Sequence, residues 1–190
     1  MIVDVVQESQ PDLAAYARVP ISFEVREILR VAEEPAGARR YRTTTSDTTP
    51  WVKDYDVIDP PTKWPAQFDV TRWAFFAALS GGERVGGAAV VFQAQGVDML
   101  RGRADVAILW DIRVAPAARG QGVGKALMAA VEAWASAQGA RWLEVETQDI
   151  NVPACRFYER SGFELRSVDP NAYPALPDET QLLWCKRLSP

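Results

Sequence analysis

The chain has 190 residues, with 21 Lys and Arg against 25 Asp and Glu, a net charge of −4, and no histidine. The missing histidine excludes a Ser-His-Asp triad, a Cys-His pair and any His-ligated metal centre, and the acidic balance argues against a nucleic-acid partner. With 48% hydrophobic and 24% charged residues, the composition is that of an ordinary globular chain, long enough for one domain with a core that needs no disulfide or metal. Cys155 and Cys185 are isolated and form no C-x-x-C, which fits a reducing compartment. Met1 to Asp12 carries neither a basic region nor an apolar stretch of signal-peptide type, and the mid-chain apolar run Ala74–Leu79 is too short to span a bilayer. A cytoplasmic location is expected.

In chain order, Ile21 to Val31 alternates loosely and ends in Glu33-Glu34-Pro35, which predicts an early strand closed by the proline. Tyr41 to Thr49 reads as an edge strand or a loop. Pro50 to Asp69, with Pro50, Pro60, Pro61 and Pro65, predicts a short helix or turn and then a loop, because proline removes donors and biases its predecessor away from helix. Its aromatic and acidic residues fit either a surface excursion or a substrate-side flap. Trp73–Leu79, Ser80-Gly81-Gly82-Glu83 and Arg84–Gln93 predict a β-hairpin. After a charged turn at 98–105, Ala107–Val114 predicts a strand. Val123, Leu127, Val131 and Trp134 then recur at helical spacing, with Gly139 placed to stop the helix. Trp142–Thr147 predicts a strand, Asn151 a helix cap with Pro153 in the first turn, and Gly162 the end of that helix. Phe163–Val168 and Gln181–Lys186 predict the last strands. The order gives a mixed sheet with at least two helices, of α/β or α+β class.

The chemistry-bearing segment is Arg119-Gly120-Gln121-Gly122-Val123-Gly124-Lys125, which follows a strand and opens a helix. Its glycines allow close backbone approach, and free N–H groups at a helix start attract an anion such as a pyrophosphate. Arg119 and Lys125 add positive charge. The spacing is not a Walker A loop: position 119 is Arg where glycine is needed, and Ala126 replaces the Ser or Thr after the lysine. It is not a Rossmann fingerprint either, since the third glycine comes one residue early.

Arg119, Gly122 and Gly124 fill the pattern [QR]-x-x-G-x-[GA], and Asn151, Ala154, Tyr158, Gly162 and Phe163 fill N-x-x-A-x-x-x-Y-x-x-x-G-F. Together they resemble the GNAT superfamily of acetyl-CoA-dependent N-acetyltransferases. Glu146-Thr147-Gln148-Asp149, with Asn151, Ala154-Cys155, Phe157-Tyr158, Gly162-Phe163 and Ser167-Val168-Asp169, resembles, more narrowly, the streptothricin acetyltransferases; weaker echoes lie upstream at Phe23-Glu24-Val25 and Pro50–Tyr55, and the tail, with Tyr173 and Leu183-Trp184, also fits. The resemblance implies an α/β (α+β) fold with a mixed, mostly antiparallel sheet of six to seven strands and flanking helices. It implies one acetyltransferase domain over 1–190, with an acceptor-side half at 1–100 and an acetyl-CoA-binding core at 101–190.

It further implies that acetyl-CoA lies in a notch between the Ala107–Val114 and Trp142 strands. The backbone at Ile112, Arg113 and Val114 would pair with the pantetheine arm. Gly120, Gln121, Gly122, Val123, Gly124 and Lys125 would hold the pyrophosphate beside Arg119, and Asn151 and Ala154 would meet the pantetheine end. Tyr158 would be the general acid toward the departing sulfur. For the base, Asp111, Glu144, Glu146 and Asp149 are open; Trp110 stands where many relatives carry an acid, which shifts weight to Glu146. Asp111, Glu146 and Asp149, with Asp54 and Asp56, are candidates to attract a cationic acceptor. Cys155, with no histidine partner, is a poor nucleophile.

The expected activity is therefore direct acetyl transfer from acetyl-CoA, without a metal, to a primary amine of a small cationic molecule, streptothricin foremost. A peptide amine or polyamine acceptor, and a non-catalytic acetyl-CoA sensor, are the alternatives. No membrane partner is expected, and a homodimer is compatible with the reading.

Overall fold

The computed structural model describes residues 2–34 and 41–189. Pro35, which closes the early strand in the sequence reading, lies outside them. The chain divides into two compact units. The first is formed by the described parts of Met1–Ser22, Asp54–Leu143 and Leu188–Pro190, the second by those of Phe23–Lys53 and Glu144–Arg187.

The first unit carries β1 (Asp4–Glu8), α1 (Leu13–Ala17), α2 (Trp64–Gln67), β4 (Ala74–Ser80), β5 (Glu83–Phe92), β6 (Val106–Val114) and α3 (Val123–Ala137). Its strands run in the order β1-β4-β5-β6, each pair antiparallel. The β4–β5 hairpin turns at Gly81 and Gly82, both at positive φ, as the Gly-Gly signal predicts. β6 carries a bulge: Ala89 pairs with Asp111 but Val90 pairs with Leu109, so Trp110 is the extra residue.

Two adjacent glycines of β5 admit neighbours on opposite faces. A Cβ on Gly86 would lie 3.1 Å from Val123 and Leu127 of α3, and one on Gly87 would lie 2.6 Å from the Tyr16 ring. α3 buries Val123, Leu127, Met128, Val131 and Ala135, with Trp134 half-buried at the edge of that face. It ends in a Schellman motif: Ala140 N–H bonds the Ala135 carbonyl (3.0 Å), Gly139 N–H bonds Ser136 (2.9 Å), and Gly139 takes φ +91°. Tyr16, Trp64, Trp73, Phe75 and Ile108 form the core on the other side of the sheet.

The second unit holds β2 (Phe23–Glu33) and β3 (Tyr41–Lys53), β7 (Trp142–Gln148) as it runs on from the first unit, α4 (Val152–Arg160), β8 (Glu164–Asp169) and β9 (Gln181–Arg187). Three strands run β7-β9-β8, and β2 and β3 form a two-stranded antiparallel sheet. β3 extends beyond the expected limit, through Pro50 to Lys53. The register explains this: Val25 faces Trp51 while Glu27 faces Asp47, so Pro50 sits in an irregular stretch where a missing donor costs little. The remainder of 54–72 is short one-turn segments and α2, close to expectation. β1 and α1 are additions. β1 is short and half-exposed and gives little alternation to read; α1 is a five-residue helix capped by Asp12, whose Oδ1 accepts from Ala15 N–H (2.9 Å). The mixed, mostly antiparallel class with flanking helices is as the sequence reading expects. No helix among the described residues is long and apolar enough to cross a membrane.

Candidate active site

In the first unit, β6 leads into the glycine loop. Pro116–Ala118 makes one 3-10 turn, and α3 starts at Gly122 with no side-chain cap and no acid in its first turn. The first N–H groups of α3 are thus left for an external acceptor. Gly120 (φ +74°) and Gly122 (φ +88°) are left-handed, and a Cβ at either would meet nothing within 4 Å. The conformation, not crowding, demands glycine here, and the loop keeps an open face. Arg119 does not reach across that face. Its Nε donates to Val114 O (3.0 Å) and its Nη2 to Pro20 O (3.3 Å) and Ser22 O (2.9 Å), so it fastens the loop to the chain after α1. Gln121 Nε2 donates to Ala117 O (2.7 Å), while Lys125 is exposed.

Asp111 and Arg113 face Tyr16. Arg113 donates to both Asp111 oxygens (2.9 and 2.8 Å), to both Asp56 oxygens (2.9 and 3.2 Å) and to Val19 O (3.1 Å). The guanidinium also lies over the Tyr16 ring at 4.9 Å, and Tyr16 Oη donates to Asp111 Oδ1 at 2.6 Å. Burial pushes the Tyr16 phenol well above its usual range, and the Asp111 charge adds to the shift. Burial pulls the other way on Arg113, but its carboxylate partners outweigh it and the guanidinium remains fully cationic. Ile112 and Val114 alternate with these residues and are half-buried. A separate surface cleft of about 500 Å³, lined by Gln93 to Ala104, holds none of the expected site residues.

In the second unit, Asn151 caps α4, its Oδ1 accepting from Ala154 N–H at 3.3 Å. The helix ends as α3 does: Phe163 N–H bonds Tyr158 O (3.0 Å) and Gly162 N–H bonds Glu159 O (3.1 Å). The Tyr-x-x-x-Gly-Phe spacing is therefore a C-cap in which the hydrophobic partner of Phe163 is Tyr158, with ring centroids 5.6 Å apart. Tyr158 is buried, and its ring also packs on Phe157 (5.4 Å).

Glu146 is half-buried on β7, accepting from Tyr173 Oη (2.6 Å) and Gln181 Nε2 (2.7 Å). Asp149 is buried, and its Oδ1 accepts the Thr180 N–H (3.0 Å). Burial lifts its carboxyl above the usual aspartate value, against the opposing pull of that amide. Glu144 is buried near Cys185 Sγ (3.8 Å). Cys155 is also buried, with Thr147 Oγ1 at 3.5 Å, and burial pushes its thiol up to about 11. The partners that sequence reasoning missed are Tyr16 and Gln181. Tyr173 and Gln148 were visible only as parts of the resemblance, and nothing local to them announces a carboxylate partner.

A sequence model of the Acetyltransferase (GNAT) family matches residues 40–163. The chain belongs to this family. The chain is 39% identical over 80 residues to streptothricin acetyltransferase A of Bacillus subtilis (strain 168), covering 41% of this chain and 46% of that protein. With streptothricin acetyltransferase of Streptomyces lavendulae it shares 32% over 111 residues, 58% of this chain and 54% of the other. The chain thus spans about half the length of these curated relatives. Among solved structures, a nourseothricin acetyltransferase superposes with a TM-score of 0.76 at 25% identity, over 98% of this chain and 99% of that one. A Bacillus anthracis str. Ames protein crystallised with acetyl coenzyme A gives a TM-score of 0.80 at 23% identity, over 98% and 99% of the chains, a likeness of fold. The GNAT expectation drawn from the two motifs is borne out.

Proposed function

We propose that this GNAT protein is an acetyl-CoA-dependent N-acetyltransferase that acts on a primary amine of a small cationic acceptor, streptothricin being the first candidate. The observation that carries the reading is the start of α3: an uncapped helix N-terminus behind two left-handed, open-faced glycines. That is what a pyrophosphate requires, and Gly120 to Lys125 would hold it, with Arg119 bracing the loop from behind. Acetyl-CoA supplies the activated acyl group. Ile112 to Val114 and Asn151 with Ala154 are the residues proposed along its pantetheine arm.

The acceptor amine must lose a proton, since an alkyl ammonium has a pKa of about 10.4. Glu146 takes that proton, directly or through water, the amine nitrogen bonds to the thioester carbonyl carbon, and Tyr158 gives its phenolic proton to the sulfur as the carbon–sulfur bond breaks, so that the amide and the CoA thiol are the products. Asp111 and Asp56 are less suited to meet a cationic acceptor, because Arg113 already engages both carboxylates. Asp149 is buried and bonded to a backbone amide. Glu146 is half-buried, is held by neutral donors and makes no ion pair among the described residues. Direct transfer is preferred to an acetyl-cysteine route because Cys155 is buried, its thiol is protonated at neutral pH, and the chain has no histidine to activate it.

The test is free-thiol release from acetyl-CoA by the purified protein, with and without streptothricin. Saturable release that depends on streptothricin supports the proposal. Release at the blank rate overturns the streptothricin assignment, and a panel of peptide amines and polyamines then identifies the acceptor. Tight acetyl-CoA binding with no release for any amine overturns the enzyme reading.

A further inference from the structure

Glu146 does not stand alone on β7. Tyr173, in the segment between β8 and β9, donates to Oε1 at 2.6 Å, and Gln181, the first residue of β9, donates to Oε2 at 2.7 Å. Gln148, on the same face of β7 by alternation, donates to the Tyr173 oxygen at 3.0 Å. The result is a directed chain, Gln148 to Tyr173 to Glu146, in which each bond polarises the next. Its middle member is fixed by its own loop. Asn171 N–H bonds Asp169 Oδ1 (2.8 Å), Leu176 N–H bonds Tyr173 O (2.9 Å), and Thr180 N–H bonds Asp149 Oδ1 (3.0 Å). Glu179 at the loop's end is ion-paired with Lys53 of β3. Burial, reinforced by the Glu146 charge, holds the Tyr173 phenol well above its ordinary acidity range, so it stays a donor.

A carboxylate has about four lone-pair sites, two per oxygen. Among the described residues, one site on each oxygen is taken by a neutral donor and no cation pairs with the carboxylate, which leaves its charge uncancelled and its orientation fixed.

We propose that Tyr173, seconded by Gln181, is a positioning residue that holds Glu146 in the one orientation in which it meets the ammonium of the acceptor, and so helps to determine acceptor specificity. This rests on the reading of Glu146 given under Proposed function. Tyr173 acts only through Glu146, so its removal is felt only where Glu146 is intact.

The experiment is a double-mutant cycle with streptothricin, or the amine chosen by the panel, as acceptor. It compares wild type, Tyr173→Phe, Glu146→Gln and the double variant. Tyr173→Phe is expected to lower kcat/KM for the acceptor about tenfold, with KM for acetyl-CoA unchanged, and Glu146→Gln to lower it about a hundredfold or more. The double variant is expected to match Glu146→Gln within about twofold. If Tyr173→Phe costs the same factor in both backgrounds, or shifts KM for acetyl-CoA as much as for the acceptor, the positioning role is overturned while Glu146 keeps its place. If Glu146→Gln retains wild-type turnover, the reading of Glu146 is wrong and the inference falls with it, as it does if no amine of the panel is bound or acetylated. Should Tyr173→Phe fail to fold, Gln148→Ala, which removes the donor to Tyr173, is expected to cost about threefold in the Glu146 background and nothing in the Gln background.

Discussion

Arg113 and Asp111, two residues apart on β6, grip each other through two hydrogen bonds, Nε to Oδ1 at 2.9 Å and Nη2 to Oδ2 at 2.8 Å. The same guanidinium holds Asp56, 57 positions away in sequence. Both partners on β6 are nearly inaccessible, with Arg113 2% exposed and Asp111 9%. Buried ion pairs of this kind are costly to break because the surviving charge has no water to retreat to.

Arg113→Ala should therefore destabilise the fold by about 3–5 kcal/mol, since it strands Asp111 and frees Asp56. Urea unfolding followed by tryptophan fluorescence measures this directly. Arg113→Lys should recover only part of the loss, because an ammonium cannot make two bidentate contacts. A loss below about 1 kcal/mol in the alanine variant would show that the cluster matters little to stability.

Gly122→Asp should weaken acetyl-CoA binding by at least about tenfold, by placing a negative charge where the helix start favours an anion. Gly122 is at φ +88°, so any side chain there is strained, and Gly122→Ala separates strain from charge. Calorimetric titration with acetyl-CoA reads both. Equal affinities for the two variants would remove the electrostatic argument for the loop.

Tyr158→Phe should keep the ring packing on Phe163 and remove the phenolic hydroxyl, and with it the proton the sulfur would receive. The expected result is a fall in kcat of about a hundredfold, with KM for acetyl-CoA changed by less than about threefold. Steady-state rates across the working pH range check this; turnover equal to wild type throughout would eliminate the general-acid role.

Asp149→Asn tests a titration. Burial raises the pKa of Asp149 in the folded state above its ordinary value. The group's contribution to stability is therefore fully present below the unfolded value and is lost as pH rises through the folded one. Asparagine keeps an Oδ1 to accept the Thr180 N–H and has no charge to bury. The variant should match wild type in acid and be the more stable protein at neutral pH. Denaturant midpoints measured over that range decide it, and a wild-type advantage at neutral pH would contradict the prediction.

The readable parts of this sequence are those governed by neighbours along the chain. Val123 to Ala137 declares itself by spacing, Gly139 and Gly162 by the left-handed residue a helix end needs, and Asn151 by its reach to Ala154 N–H. The β4–β5 hairpin follows from its Gly-Gly turn. The loop at 119–125 stands out because glycine at that density before a helix has few other uses. Each of these depends on interactions over a few residues, which a one-dimensional reading captures.

The partners of the acids were beyond such a reading. Tyr16 meets Asp111 across 95 positions and Tyr173 meets Glu146 across 27. Those pairings follow from strand register, from the Trp110 bulge that sets the phase of β6, and from a β8–β9 loop whose course is set by its anchors. β3 likewise runs through Pro50 because its partner strand leaves an irregular stretch there, although proline by itself argues for a break. The sequence alone determined the two long helices, α3 and α4, most of the strands, the cofactor-type loop and the family. Tertiary structure decided which carboxylates spend their charge internally and which keep it, because a charge is compensated by whatever the fold brings within about 4 Å.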